Sequence, residues 1–184
     1  MARVQLRFYE ELNDFLSPSL RKVAFSHTFE RRTSVKDMIE SFGVPHPEVE
    51  IILVNGRSVD FSYLVRDGDH ISIYPVFESL DISPLLRLRP APLRTPAFVL
   101  DSNLGRLARY LRLLGFDCLY QNNYDDETVA TIADQQQRIV LTRDRALLQR
   151  KIITRGFFVR AVRPRQQVKE VLARLDLYRQ IAPF

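Results

Sequence analysis

Acidic side chains follow three short apolar runs in the second half of the sequence. Asp101 comes directly after "AFVL", Asp125 and Asp126 follow "CLYQNNY", and Asp144 follows "RIVLTR". Each run is typical of a buried strand, and residues just past the carboxyl ends of parallel strands converge on one crevice. Carboxylates gathered there repel one another unless a cation lies between them, and Mg²⁺ and Mn²⁺ prefer oxygen ligands. The pattern predicts a Mg²⁺ or Mn²⁺ site at Asp101, Asp126 and Asp144, with Asp125 as the substitute for Asp126.

Basic residues lie close to these acids in the sequence. Arg106, Arg109 and Arg143 fall near the same predicted edge or on the helix beside it, and arginine binds phosphate through two parallel hydrogen bonds. Thr142 could hydrogen-bond either a carboxylate or the substrate. A metal site within a basic surface suggests hydrolysis of a phosphodiester, although an ordinary solvated helix face is an equal explanation for Arg109.

Helix capping is the alternative explanation for the acids. An aspartate at the start of a helix bonds exposed N–H groups and suits the positive end of the helix dipole. This explanation has equal weight for either member of the Asp125–Asp126 pair, and it is open for Asp144. Asp101 differs because Ser102 or Asn103 can cap the helix that follows. The shared position past strand ends therefore carries the metal-site prediction, rather than any single acid.

Several other kinds of chemistry are excluded. The single cysteine, Cys118, rules out an internal disulfide framework and a cysteine-based zinc site, and it is expected to be a buried strand residue. The three histidines lie in the first 80 residues, apart from the acids, so histidine acid–base catalysis has no support. Glycine-rich phosphate loops and Ser–His–Asp arrangements are absent. No apolar run is long enough to span a bilayer, and the N-terminus alternates like a strand, so we expect a cytoplasmic protein without membrane contact.

Charge divides the chain into two parts. Residues 1–80 contain 9 Lys and Arg against 12 Asp and Glu, whereas residues 81–184 contain 18 against 10. The segment 81–96 holds four prolines, which favour extended backbone and oppose helix. We therefore expect a domain at 1–80, a proline-rich linker at 81–96 and a second domain at 97–184. Only the second domain is expected to meet a polyanion.

Patterns in the first domain predict strands around one helix. "RVQLRFYE" alternates, Ser34 can cap a helix that carries Val35, Met38 and Ile39, and "NG" in "EIILVNGRSVD" indicates a hairpin turn. The order β-β-α-β-β predicts a compact α+β fold. "ILVNGR" followed by "DGDHISIYP" resembles the β-grasp, ubiquitin-like sulfur carriers. Those carriers end in a free Gly-Gly, whereas this chain continues, so a carrier role is not expected. The alternatives are that the domain packs, recognises a protein partner or helps to orient the second domain.

The second domain alternates strands with helices. The predicted strands are "AFVL", "FDCLY", "RIVL" and "FFVRAV", and the predicted helices are "LGRLARYLRLLG", "ETVATIADQQQ", "RALLQRKI" and "RQQVKEVLARLDL". This alternation predicts an α/β domain with a mostly parallel sheet.

"FVLDSNLGRLARYLRLLGFD" together with "RIVLTRDRALL" resembles the Mut7-C family, which has a PIN-like ribonuclease fold. The resemblance implies metal-dependent cleavage of RNA and puts the family's acids on Asp101, Asp126 or Asp125, and Asp144. Combined with the ubiquitin-like segment, the whole chain resembles the Ub–Mut7-C arrangement. Members often continue into a four-cysteine zinc ribbon, which the sequence up to Phe184 does not contain.

The leading hypothesis is a metal-dependent ribonuclease that uses these aspartates. The alternative is a non-catalytic RNA- or ribosome-binding module with a ubiquitin-like partner-binding domain, and a third hypothesis is an adaptor led by that domain. A phosphoacceptor signalling domain is disfavoured, because no adequate set of Lys and acids surrounds one receiving Asp.

Overall fold

The computed structural model describes residues 1–75, 88 and 96–183. The chain divides into two compact units, Met1–Ala91 and Pro92–Phe184, called unit 1 and unit 2 here. The predicted linker at 81–96 lies outside the described residues, apart from residues 88 and 96. Among the described residues, no helix has the length and apolar composition needed to cross a bilayer.

Unit 1 is a mixed sheet with one helix packed on it. Its elements are β1 Ala2–Phe8, β2 Phe25–Phe29, α1 Val35–Ser41, β3 Val49–Val54, β4 Arg57–Val59 and β5 His70–Pro75, with 3₁₀ turns at Glu10–Phe15, Pro18–Leu20 and His46–Glu48. The strand order is β2-β1-β5-β3-β4, with β1 and β5 parallel and the other pairs antiparallel. The α+β prediction is confirmed, with one strand more than predicted because both arms of the hairpin are strands.

Sequence signals explain the local structure of unit 1. Val4, Leu6 and Phe8 are buried along β1, and the Ser34 hydroxyl accepts a hydrogen bond from the Asp37 amide as the predicted helix cap. Asn55 and Gly56 both adopt positive φ, 51° and 78°, as a tight hairpin turn requires.

Unit 2 is an α/β domain whose four strands are all parallel. Its elements are β6 Ala97–Leu100, α2 Gly105–Leu113, β7 Asp117–Leu119, α3 Asp126–Gln135, β8 Ile139–Thr142, α4 Arg145–Leu148, β9 Gly156–Phe158 and α5 Pro164–Arg174, with 3₁₀ turns at Ser102–Leu104 and Tyr178–Gln180. The strand order is β7-β6-β8-β9. The predicted parallel sheet is confirmed. Helix α4 is shorter than the predicted segment 145–152, because the chain turns after Leu148 and buries Ile153.

Helices cover both faces of this sheet. Leu100, Leu141 and Phe157 pack with buried residues of α2 and α5 on one face. Val99 and Val140 pack with buried residues of α3 and α4 on the other. Cys118 is buried in β7, as expected, and burial raises the pKa of its thiol to about 12.

The strand order fixes where a crevice must lie. From β6 the chain crosses to β7 on one side, and it then returns past β6 to form β8 on the other side. The chain leaves β6 toward β7 and leaves β8 toward β9, in opposite directions, so the two connections separate at the carboxyl ends of β6 and β8. Ligands of open α/β sheets bind at such a switch point.

Candidate functional site

Asp101 lies at this switch point and is held there on both carboxylate oxygens. It follows β6 directly, and its amide donates to the Leu141 carbonyl of β8 at 3.1 Å. The Thr142 hydroxyl donates to Asp101 Oδ2 at 2.9 Å, and the Ser102 hydroxyl donates to Oδ1 at 3.1 Å. Asp101 is only 7% exposed. The two hydroxyl donors thus satisfy both oxygens of a carboxylate that has little access to water.

Thr142 connects Asp101 to Asp144. The Thr142 side chain is fully buried, and its hydroxyl oxygen also accepts a hydrogen bond from the Asp144 amide at 2.9 Å. One hydroxyl group therefore contacts both segments that carry the predicted acids. Of the two roles predicted for Thr142, the structure contains the bond to a carboxylate, and burial leaves no free hydroxyl for RNA.

The side-chain alternation of the strands puts these residues on one face of the sheet. Val99 and Val140 point to the α3 and α4 side, so Asp101 and Thr142, two residues further along, point to the same side. Asp144 precedes α4 and Asp126 begins α3, the two helices that cover this face. The backbone positions of all three predicted acids therefore lie past strand carboxyl ends, with Asp126 and Asp144 at the starts of the helices that cover this face.

Asp125 and Asp144 both act as helix caps. Asp125 Oδ1 accepts from the Thr128 amide at 2.8 Å, and hydrogen bonds from Thr128 hold the pKa of Asp125 below its usual value. Asp144 Oδ1 accepts from the Ala146 amide at 2.8 Å, which leaves Oδ2 outside this cap. Capping accounts for Asp125, whereas Asp126 lies one position further on, in the first turn of α3. Because Asp144 caps its helix in the same way, capping does not exclude Asp125, and the choice of Asp126 as the third acid stays a prediction.

Asp101 itself does not cap α2 with its side chain, and neither do the residues expected to do so. A 3₁₀ turn at Ser102–Leu104 precedes the helix, whose N-cap position is Leu104, with no side-chain cap bond. The expectation that Ser102 or Asn103 caps α2 is therefore wrong, because the extra turn moves the helix start past both. The Ser102 hydroxyl instead orients Asp101.

The donor chemistry of the site fits Mg²⁺ or Mn²⁺ only in part. Among residues 1–75, 88 and 96–183, no group of three or more His, Cys, Asp or Glu side chains is arranged to hold a metal ion. Mg²⁺ commonly binds through one or two carboxylates and completes its shell with water and substrate phosphates. Asp101 and Asp144 supply carboxylates of the number and type in that smaller donor set, and their binding of a shared ion stays a prediction. The role of Asp126 as a third ligand stays a prediction.

The three arginines predicted to hold RNA differ in their surroundings. Arg106 and Arg109 are exposed on the first two turns of α2, the helix that follows Asp101. Arg143 has its Nη1 against the carbonyl oxygens of Val159, Arg160 and Ala161. Its guanidinium therefore holds the loop after β9.

Sequence reasoning missed a contact between Tyr120 and the start of α2. The Tyr120 hydroxyl donates to the Ser102 carbonyl at 2.9 Å, beside Asp101. A Cβ on Gly105 would lie 2.6 Å from that hydroxyl, so glycine makes room for the ring. A glycine at the first helical residue, within an otherwise strong helix sequence, is the sequence signal that indicates such a close approach.

Family models match both units of the chain. Residues 1–81 match the Mut7-C ubiquitin model, and residues 96–184 match the Mut7-C RNAse domain model. A search of curated proteins and a search of solved structures gave no match. The second match indicates a ribonuclease, with RNA as its substrate. The chain is thus a two-domain protein that joins a Mut7-C ubiquitin domain at 1–81 to a Mut7-C RNAse domain at 96–184.

Proposed function

We propose that this protein is a metal-dependent ribonuclease that hydrolyses RNA phosphodiester bonds at the switch point of unit 2. Asp101 and Asp144 are the principal carboxylates, and Asp126 is the third. The observation that supports this proposal best is the Thr142 hydroxyl, which bonds both the Asp101 carboxylate and the Asp144 amide at 2.9 Å. It draws together two acids that are 43 positions apart in the sequence.

The residues around the site have distinct parts in this mechanism. The hydroxyls of Thr142 and Ser102 fix the orientation of the Asp101 carboxylate, so it needs little reorganisation when substrate enters. Asp144 is exposed and meets substrate from the other side of the crevice. When bound by these carboxylates, Mg²⁺ or Mn²⁺ would activate water and stabilise charge on the phosphodiester oxygens. The exposed Arg106 and Arg109 contribute positive charge for the RNA backbone.

We predict that Asp101→Asn and Asp144→Asn each lower cleavage of single-stranded RNA by about 100-fold or more in Mg²⁺ or Mn²⁺, because the amide cannot supply the negative charge. The measurement is gel-resolved cleavage of a labelled oligonucleotide, with circular dichroism to verify folding. Asp134→Asn is the matched control, since Asp134 is an exposed acid near the end of α3 away from the switch point. Parental cleavage rates in both site variants would refute the mechanism.

Titration with Mn²⁺ tests the metal part of the proposal separately. The parent should release or absorb heat on binding Mn²⁺, and Asp101→Asn should weaken that binding while Asp134→Asn leaves it unchanged. Equal Mn²⁺ affinity in all three proteins would remove Asp101 from the metal site even if cleavage persists.

A non-catalytic RNA-binding module is the second candidate. It is favoured by the finding that the described residues contain no complete group of three metal ligands, and it uses the same basic surface. Purified protein that retards RNA on a gel but cleaves none with Mg²⁺, Mn²⁺, Co²⁺ or Ca²⁺ would select this function.

A further inference from the structure

A cluster of two arginines and a phenylalanine lies one strand away from Thr142. Phe158 ends β9 and is the register partner of Thr142, and the Val159 amide donates to the Thr142 carbonyl at 2.8 Å. Because the strands alternate, Phe158 points to the same face of the sheet as Thr142 and Asp101, and it packs at the margin of the core beneath α3 and α4. The ring therefore lies beside Thr142, the residue whose hydroxyl bonds the Asp101 carboxylate and the Asp144 amide.

Two guanidinium groups lie against this ring. Arg145, the residue after Asp144, has its guanidinium carbon 5.6 Å from the Phe158 ring centroid, and the guanidinium carbon of Arg160 lies 6.0 Å from that centroid and 5.7 Å from the centroid of Phe157. Arg160 also donates from Nη1 to the Phe158 carbonyl at 3.0 Å. Cation–π contacts hold a planar guanidinium in a fixed orientation, and its N–H edge matches the oxygens of a phosphate.

The loop that carries Arg160 is held from two directions. The Glu170 carboxylate of α5 accepts hydrogen bonds from the amides of Arg160 and Ala161 at 2.9 and 2.8 Å. On the other side, Arg143 donates to the carbonyls of residues 159–161. A loop fixed by both a carboxylate and a guanidinium has little freedom, so Arg160 keeps its place beside Phe158.

We propose that Arg145, held against Phe158, and Arg160, held against both Phe157 and Phe158, form a subsite for the backbone phosphates of single-stranded RNA beside Asp144. This inference rests on the proposed function, since it takes the switch point as the place of cleavage. Arg143 is a positioning residue in this subsite: it contributes through Arg160 rather than by contacting phosphate. The subsite supplies positive charge on the β9 side of Asp144, whereas Arg106 and Arg109 lie on α2.

The test is fluorescence anisotropy of a labelled oligouridylate in EDTA, at several KCl concentrations, with the full chain. Arg145→Gln/Arg160→Gln should weaken binding roughly tenfold and should make the slope of log affinity against log salt shallower by about 0.7 for each phosphate that is no longer neutralised. The control Lys169→Gln/Arg179→Gln removes the same charge from exposed positions on α5 and the turn after it, and it should bind like the parent.

Parental affinity in the double variant, an equal loss in the control, or a parent that does not bind the probe would each overturn the subsite. Binding by the parent without any cleavage in Mg²⁺ or Mn²⁺ would refute the proposed function while the subsite stands. If the glutamine variant fails to fold in a thermal melt, Arg145→Lys/Arg160→Lys replaces it. The lysine variant should bind more weakly than the parent with an unchanged salt slope, and equal affinity would overturn the role of the stacked guanidinium groups.

A double-mutant cycle tests the role of Arg143. Arg143→Gln should weaken binding several-fold in the parent and should have little effect in Arg160→Gln, because both changes disable the same interaction with phosphate. Additive losses of affinity would show that Arg143 binds phosphate independently and would overturn its positioning role.

Discussion

At the scale of the residue, the Thr142 hydroxyl is the atom on which the arrangement of the acids depends. It is buried, it donates to Asp101 Oδ2, and it accepts from the Asp144 amide. A side chain of the same shape without a hydroxyl could make neither of these two hydrogen bonds. A substitution of Thr142 is therefore expected to disturb the site although it changes none of the carboxylates.

We predict that Thr142→Val lowers the free energy of unfolding by about 1–3 kcal/mol, because it leaves the buried Asp101 oxygen and the Asp144 amide without this partner. Cleavage should fall by about 10- to 100-fold, as expected when a group that orients a ligand is removed. Urea denaturation and RNA cleavage are the measurements. Thr142→Ser keeps the hydroxyl and should retain most of both properties, so equal losses in the two variants would contradict this role.

The sequence predicted the acids better than their neighbours. Asp101 and Asp144 were identifiable because a carboxylate just past an apolar strand has a known place at the edge of a parallel sheet. The contacts of Arg143 could not be identified from the sequence, since the carbonyls that accept its hydrogen bonds lie 16 to 18 positions away, in a loop. Tyr120 gave no signal of its own, because an aromatic residue after a strand is equally suited to the core.

At the scale of the element, helix α2 is ended by a glycine in close contact with the C-terminal segment. Gly115 has φ of 93°, and the Phe116 amide donates to the Leu111 carbonyl at 3.0 Å, as in a Schellman motif. The Ala182 amide donates to the Leu114 carbonyl at 3.0 Å, and a Cβ on Gly115 would overlap the Ala182 carbonyl oxygen. Both the backbone conformation and the available space require glycine here.

We predict that Gly115→Ala lowers the free energy of unfolding of unit 2 by about 2–3 kcal/mol, since it combines left-handed strain with a clash. Gly68→Ala is the matched control, because Gly68 has φ of 81° and a Cβ there would meet nothing within 4 Å. Gly68→Ala should show the loss of unfolding free energy that backbone strain alone causes, measured in unit 1. Denaturation curves of the two variants measure the difference, and equal costs would contradict a contribution from the Ala182 contact.

Most elements followed from local patterns, and the exceptions have tertiary causes. The Asn55-Gly56 turn and the Ser34 cap were predicted because each signal acts within a few residues. Helix α4 ended early because packing buries Ile153 and leaves Ile152 exposed, which the helical period does not predict. The turn before α2 was missed for a similar reason, since its geometry depends on the neighbouring strand that holds Asp101.

At the scale of the whole molecule, the two units differ in net charge as well as in fold. The family matches agree with the predicted division of charge, with the basic part in the RNAse domain and the mildly acidic part in the ubiquitin domain. Alternation of strands and helices predicted the parallel sheet of unit 2, whereas it did not predict the strand order. The chain passes from β7 beyond β6 to form β8, and this strand order creates the switch point. The protein partner expected for unit 1 stays a prediction.

The buried thiol of Cys118 in β7 can be used to detect opening of the RNAse domain. Only a thiolate reacts readily with iodoacetamide, and a thiol with a pKa near 12 is almost entirely protonated at pH 8. We predict that alkylation of Cys118 in the native protein is limited by opening of the RNAse domain, and that Gly115→Ala accelerates it whereas Gly68→Ala does not. Mass spectrometry of peptides from timed samples measures the rate, and because the chain has one cysteine, every label on cysteine reports on that domain. Equal rates in all three proteins would mean that the thiol is reached without any unfolding.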